Sequence, residues 1–183
     1  AIGAHFDDIE LGCGGTVARH VSNGDNVIML VLTDSAYYNY DGTPVRTVEV
    51  AKQEGEDAAK VLGVDKLISI GLETKTVQYG FELIETINKV IDEHNIDTIY
   101  THWDKDVHQD HSAIGRATFN AARHVKNVLM YRSNWYHTSS EFRGNYYSDI
   151  SEFMDIKIAS VKAHENEYKK FGQGWIDFFV NED

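Results

Sequence analysis

The chain has a single cysteine and a single proline in 183 residues, and its apolar runs all fall far short of the roughly 20 residues needed to cross a bilayer. One cysteine excludes an internal disulfide and is compatible with a reducing compartment, so a cytoplasmic protein is expected. Basic residues are also scarce. Against 29 Asp and Glu there are 17 Lys and Arg, a net charge of −12, which opposes any sequence-independent grip on nucleic acid or an anionic membrane surface. We expect neither partner and no membrane span. Pro- or Gly-rich linkers, repeats and low-complexity segments are missing too, so residues 1–183 read as one domain with one core. The first strand, beginning at Ala1, is unusually short. A few N-terminal residues are expected to precede it, and whether a signal peptide was among them stays open.

What the chain does have is a concentration of donor side chains. His5, Asp7, Asp8 and Glu10 fall within six residues, beside a glycine-rich stretch, Gly12-Cys13-Gly14-Gly15, that reads as a turn into a helix starting near Thr16. Ala1-Ile2 before them reads as the end of a buried strand. A second group, His102-Trp103-Asp104-Lys105-Asp106-Val107-His108-Gln109-Asp110-His111, follows the β-branched run Thr98–Thr101 and precedes a helix-like segment from Ser112. Carboxylates and imidazoles so close together repel and desolvate one another unless a cation neutralises them. Imidazole nitrogen and carboxylate oxygen suit zinc, and a catalytic zinc needs only three protein ligands. Two donors from the first group and one from the second would satisfy it.

Strand and helix patterns alternate along the chain. Asn26–Leu32 is a continuous apolar run of the kind covered on both faces. Thr47 can cap a helix over Val48–Leu62, with Gly63 ending it in a left-handed conformation. A strand over Lys66–Ile70, a helix over Phe81–His94, the strand Thr98–His102, a helix over Ser112–His124, the strand Asn127–Tyr131 and a long amphipathic helix over Ser151–Lys170 follow. This order predicts an α/β fold: a mostly parallel sheet with helices on both faces. In such folds ligands bind at the carboxyl ends of the strands, where both donor groups fall.

His5-x-Asp7-Asp8 with Gly12-x-Gly14-Gly15-Thr16, followed by His108-x-Asp110-His111, resembles the PIG-L/LmbE-like zinc-dependent deacetylases over nearly the whole chain. The resemblance implies a three-layer Rossmann-like fold. It also implies an enzyme that removes N-acetyl groups from N-acetylglucosamine-type sugars or glycoconjugates, yielding acetate and an amino sugar. One Zn2+ per chain is implied, or Fe2+ in its place, with His5, Asp8 and His111 as ligands. Asp7 is then the general base, and His108, oriented and kept cationic by Asp110, steadies the reaction centre or protonates the leaving amine. The partner is a small N-acetylated sugar or glycoconjugate; a homo-oligomer is compatible and left open. The sequence departs from the family at Phe6, where proline is usual, and at Ala51, where a basic residue usually precedes the glutamate that stands here as Glu54. Lys157…Ala163-His164 resembles the family's closing helix, but Glu165-Asn166-Glu167 replaces its usual ending, and a structural role for His164 is as compatible as a functional one.

Other features admit plainer readings. Gly12-x-Gly14-Gly15 with Asp34 imitates a dinucleotide fingerprint, but the third glycine would fall at Val17, and a pyrophosphate would be repelled by the carboxylates. Tyr37, Tyr38 and Tyr40, and Trp135-Tyr136, follow strand ends and could stack on sugar rings. His20, His94, His124 and His137 stand outside the two donor groups and read as ordinary, and Cys13 reads as small apolar filler.

Overall fold

The computed structural model describes residues 1–182. In chain order its elements are β1 (Ile2–Gly3), α1 (Asp8–Ser22), β2 (Ile28–Thr33), the ribbon strands β3 (Tyr37–Tyr38) and β4 (Pro44–Arg46), α2 (Val48–Leu62), β5 (Lys66–Leu72), α3 (Phe81–His94), β6 (Thr98–His102), α4 (Gln109–Ala121), β7 (Asn127–Tyr131), α5 (Met154–Ala163), α6 (Glu165–Phe171) and α7 (Gln173–Glu182).

β2 pairs in parallel with β1 on one side and β5 on the other, with Leu30 opposite both Ile2 and Ile68. β6 and β7 form a second parallel pair. This pair lies beside β1, joined through side chains: the Tyr131 hydroxyl donates to the Ile2 carbonyl (2.7 Å), and the Ala4 N–H donates to His102 Nε2 (2.8 Å). Every residue of β2 is buried, because its alternating side chains enter opposite layers. Leu30 and Leu32 pack with Ile87, Ile99 and Ile114 of α3, β6 and α4. Met29 and Val31 pack with Ile9, Val17 and Ala51 of α1 and α2. The result is the α/β three-layer arrangement with a parallel sheet. Among the described residues no helix is long and apolar enough to cross a membrane.

Local signals placed α2 and α3 within the expected bounds. Thr47 Oγ1 accepts the Val50 N–H, and Gly63 ends α2 at φ 75. Two expectations are corrected. The glycine-rich stretch is not a turn but lies inside α1, which starts at Asp8 and kinks at Cys13 (φ −149, ψ 17). The buried Lys157 ammonium donates to the Leu11 carbonyl at this kink (2.9 Å), a carbonyl whose helical acceptor role the kink disturbs. The long closing helix is also broken. His164, fully buried at φ −79, ψ 66, separates α5 from α6, and Gly172 (φ 68) separates α6 from α7.

The glycines of α1 serve close approach. A Cβ on Gly12 would lie 2.1 Å from the Tyr131 ring, whereas one on Gly14 would meet nothing nearer than 3.7 Å. Gly12→Ala is therefore expected to destabilise by about 1–3 kcal/mol through overpacking, with Gly14→Ala near neutral, as read by urea unfolding. Equal effects of the two substitutions would contradict this packing.

Candidate active site

The turn between β1 and α1 and the start of α4 meet at the carboxyl ends of β1 and β6. Three residues bring four donor atoms together there. His5 Nδ1 lies 3.3 Å from Asp8 Oδ2, His111 Nε2 lies 3.2 Å from Asp8 Oδ1, and the two imidazole nitrogens are 3.2 Å apart. Ligands about 2.0–2.1 Å from a tetrahedral ion sit roughly 3.3 Å from each other, so this donor set fits a zinc-sized cation. His102 also brings a nitrogen close, 3.3 Å from Asp8 Oδ2. However, its Nε2 lone pair already accepts the Ala4 N–H, which removes it as a ligand through that atom.

The protonation pattern follows from partners. Burial alone would lower His111, but the Asp8 charge and hydrogen bonds to Asp106 and Asp8 raise it to about 10. Burial likewise opposes protonation of His5, which hydrogen bonds to Asp110 and Asp8 raise to about 9. The facing nitrogens of these two rings lie 3.2 Å apart, and the His111 charge works against protonation of His5. Burial would raise Asp8, yet the charge of His111 beside it holds it well below the usual carboxylate range.

Asp7 behaves differently from its neighbour. At the start of α1 its backbone is strained (φ 135, ψ −25) and its side chain caps nothing. Burial and the adjacent Asp8 charge raise it to about 7, a value suited to proton transfer near neutrality. His108 caps α4: its Nδ1 accepts the Asp110 N–H (3.3 Å), so the neutral ring carries its proton on Nε2. Burial and the charges of His111 and His5 lower it to about 4. The expectation that Asp110 keeps His108 cationic is thus corrected. Asp110 turns its carboxylate to His5 Nε2 (3.1 Å) and to the N–H groups of Lys75 (2.7 Å) and Val77 (3.2 Å), because His108 occupies the cap with its own ring nitrogen.

Several contributors were not foreseen. Ser133, just past β7, donates to Asp8 Oδ1 (2.8 Å), and Asp106 Oδ2 faces His111 Nδ1 (3.2 Å) while Asn134 donates to the same carboxylate (2.6 Å). Such partners orient ligand side chains. The sequence signal for Ser133 and Asn134 is a polar pair one residue beyond β7, while Asp106 stands within the second donor group. Phe6, in the place of the family's proline, gains an N–H that donates to Ser35 Oγ (2.8 Å), and its ring fits against Gly55, where a Cβ would lie 2.1 Å from it. Arg46 from β4 supplies the base absent at Ala51. It donates to Glu54 (3.0 Å), to the Phe6 carbonyl (3.0 Å) and toward His164 Nδ1 (3.2 Å). His164 Nε2 lies 3.1 Å from the buried Glu10.

The site opens into a cavity of about 270 Å³ lined by His5, Asp7, Asp8, His108 and His111 on its floor, with Tyr37, Trp135 and Tyr136 around it. Tyr38 and Tyr40 are exposed and lie outside the lining, Tyr38 because successive residues of β3 face opposite ways. A larger cavity, about 460 Å³, sits at the opposite ends of β2 and β6 beside Ile28, Ile91 and Thr98. Its His20 and Asp25 are paired with each other (2.6 Å), and it holds none of the clustered donors. Gly12 and Gly15, closed off by Tyr131 and Ile150, leave no cradle for a pyrophosphate.

Residues 1–122 match the family model described as PIG-L: GlcNAc-PI de-N-acetylase. The chain is 30% identical over 175 residues to the Escherichia coli (strain K12) protein called uncharacterized deacetylase YaiS, covering 91% of this chain and 89% of that one. It is 27% identical over 184 residues to diacetylchitobiose deacetylase of Thermococcus kodakarensis, covering 90% and 67%. Among solved structures, the conserved protein TT1542 from Thermus thermophilus superposes with a TM-score of 0.82 at 23% identity, over 97% of this chain and 82% of that one; this likeness shows the fold.

A cation entering the His5, Asp8 and His111 cluster has to displace the protons that the raised imidazoles hold. Calorimetric titration with zinc at pH 7, in buffers of different ionisation enthalpy, is expected to show proton release on binding, with affinity climbing as pH rises toward the His111 value of about 10. Proton-neutral binding would place the ion elsewhere.

Proposed function

The chain belongs to the PIG-L family of GlcNAc-PI de-N-acetylases and is a deacetylase, and from that premise we propose that it hydrolyses the N-acetyl group of an N-acetylglucosamine-type sugar or glycoconjugate to acetate and a free amino sugar. The observation that carries the reading is the juxtaposition of the His5, Asp8 and His111 donor cluster with a near-neutral carboxylate, Asp7, whose side chain caps no helix, in the lining of one cavity. That the Thermococcus relative is named for deacetylating diacetylchitobiose supports a sugar substrate.

His5, Asp8 and His111 would hold the divalent ion, zinc by donor type with iron(II) as the other suited metal; when bound, such an ion acidifies water and polarises a carbonyl oxygen. The remaining work belongs to the chain. Asp7 takes a proton from the water whose oxygen attacks the amide carbon. His108 presents its Nε2–H to the oxygen on which negative charge develops. As the C–N bond breaks, the nitrogen needs one proton, and the one held by Asp7 meets that need. Asp110 positions His5 from behind and ties the loop at residues 75–77 to the reaction centre. Tyr37, Trp135 and Tyr136 offer ring faces and polar tips to the sugar.

The neighbouring aspartates separate this mechanism from a merely acidic pocket. Asp8→Ala is expected to lose the metal, because two imidazoles from distant turns remain. Asp7→Asn is expected to retain metal and fold while losing roughly 10² to 10⁴ in kcat, the range of a general base. Metal content by mass spectrometry and acetate release from N-acetylated sugars check both. Retained activity in both variants would rule the mechanism out.

A further inference from the structure

Lys75 stands in the loop after β5 with φ 69, a left-handed conformation that glycine or asparagine would adopt at lower cost. Strain of this kind persists where surroundings impose it. Here the Lys75 N–H is bound by Asp110 Oδ2 (2.7 Å), and its carbonyl accepts from the Gln109 side chain. The loop is therefore pinned to the same carboxylate that holds His5.

The side chain this backbone presents lines the cavity mouth. Its Nζ lies 5.8 Å from the centre of the Tyr37 ring, and Lys170 Nζ lies 4.6 Å from the same centre and 3.0 Å from the Tyr37 hydroxyl. Among the described residues Lys75 has no ion pair. Lys170 has one carboxylate nearby, Glu167 Oε2 at 3.8 Å, whose Oε1 is already engaged by the Tyr37 hydroxyl (2.7 Å). Arg46, further in, is matched by Glu54 (3.0 Å). Two ammonium groups thus face one carboxylate at the rim, in a chain of net charge −12. An anion held by these two ammonium groups at the rim would leave the acetamido end of the same molecule to reach the donors.

We propose that Lys75 and Lys170 bind an anionic group, carboxylate or phosphate, on the aglycone of the substrate. This rests on the N-deacetylase reading above and deepens it. A neutral glycoside leaves the Lys75 charge unmatched; an anionic one gains charge-assisted hydrogen bonds that salt weakens.

The test compares three compounds: methyl N-acetylglucosaminide, its carboxymethyl counterpart, and N-acetylglucosamine 1-phosphate. Dissociation constants by calorimetry and acetate release are measured for the zinc-loaded wild type, Lys75→Gln, Lys75→Arg and the Lys75→Gln/Lys170→Gln double variant. At least one anionic compound is expected to bind about tenfold more tightly than the neutral one, the worth of one charge-assisted contact. The ratio should fall severalfold in Lys75→Gln, further in the double variant, and be kept by Lys75→Arg. It should also shrink with added salt. The two anionic arms decide between carboxylate and phosphate. Equal affinity for all three compounds, or a ratio unmoved by Lys75→Gln, overturns the proposal even if acetate is released. Lys75-dependent anion binding without acetate release from any compound upholds the rim site and refutes the deacetylase reading.

Discussion

A buried carboxylate, Asp8, is the constraint on which the rest of the site depends. An ionised group in so dry a place is costly unless every lone pair is used. Asp8 accepts the His5 N–H (2.7 Å) and the Ser133 hydroxyl (2.8 Å) and lies within 3.3 Å of nitrogens of His5, His102 and His111. Its position at the first residue of α1 adds the favourable end of the helix dipole. Those partners come from the β1–α1 turn, β6, α4 and the segment after β7. The ionisation of one side chain therefore depends on four elements being in register. The same charge raises its neighbour Asp7, so one carboxylate is held anionic while the other is left poised to exchange a proton.

A second buried polar chain supports the first from behind. Glu10 of α1 faces His164, His164 faces Arg46 of β4, Arg46 is paired with Glu54 of α2, and Glu54 Oε1 accepts the Asn166 N–H (2.7 Å). Arg46 also holds the Phe6 carbonyl, inside the turn that presents His5 and Asp7. The break between α5 and α6 follows from this chain, because His164 leaves the helical conformation where it lies between Glu10 and Arg46. Removing one member would strand a buried charge, so these groups stand or fall together.

Legibility in the sequence tracked the range of the forces involved. α2 and α3 fell within their expected bounds because Thr47, Gly63 and 3.6-residue periodicity act over a few residues. β2 was readable because burial on both faces demands an unbroken apolar run. The glycine stretch was misread as a turn, since the reason for Gly12 and Gly15 is contact with Tyr131 and Ile150, more than a hundred positions away. Arg46 escaped notice for a similar reason: the sequence showed the base missing at Ala51 but not that β4 would bring another to Glu54.

The sequence by itself determined the class of fold, through alternating strand and helix periods, and the donor-bearing stretches, through imidazoles and carboxylates crowded where apolar strands end. Only the tertiary structure decided which partner each of those donors takes. It gave Asp110 to His5 instead of His108, committed the His102 lone pair to Ala4, and left the Asp7 side chain in the cavity lining, capping no helix. The reason is physical: a proton or lone pair is assigned by atoms within about 3 Å, and parallel strands joined through helices bring those atoms together from positions a hundred residues apart.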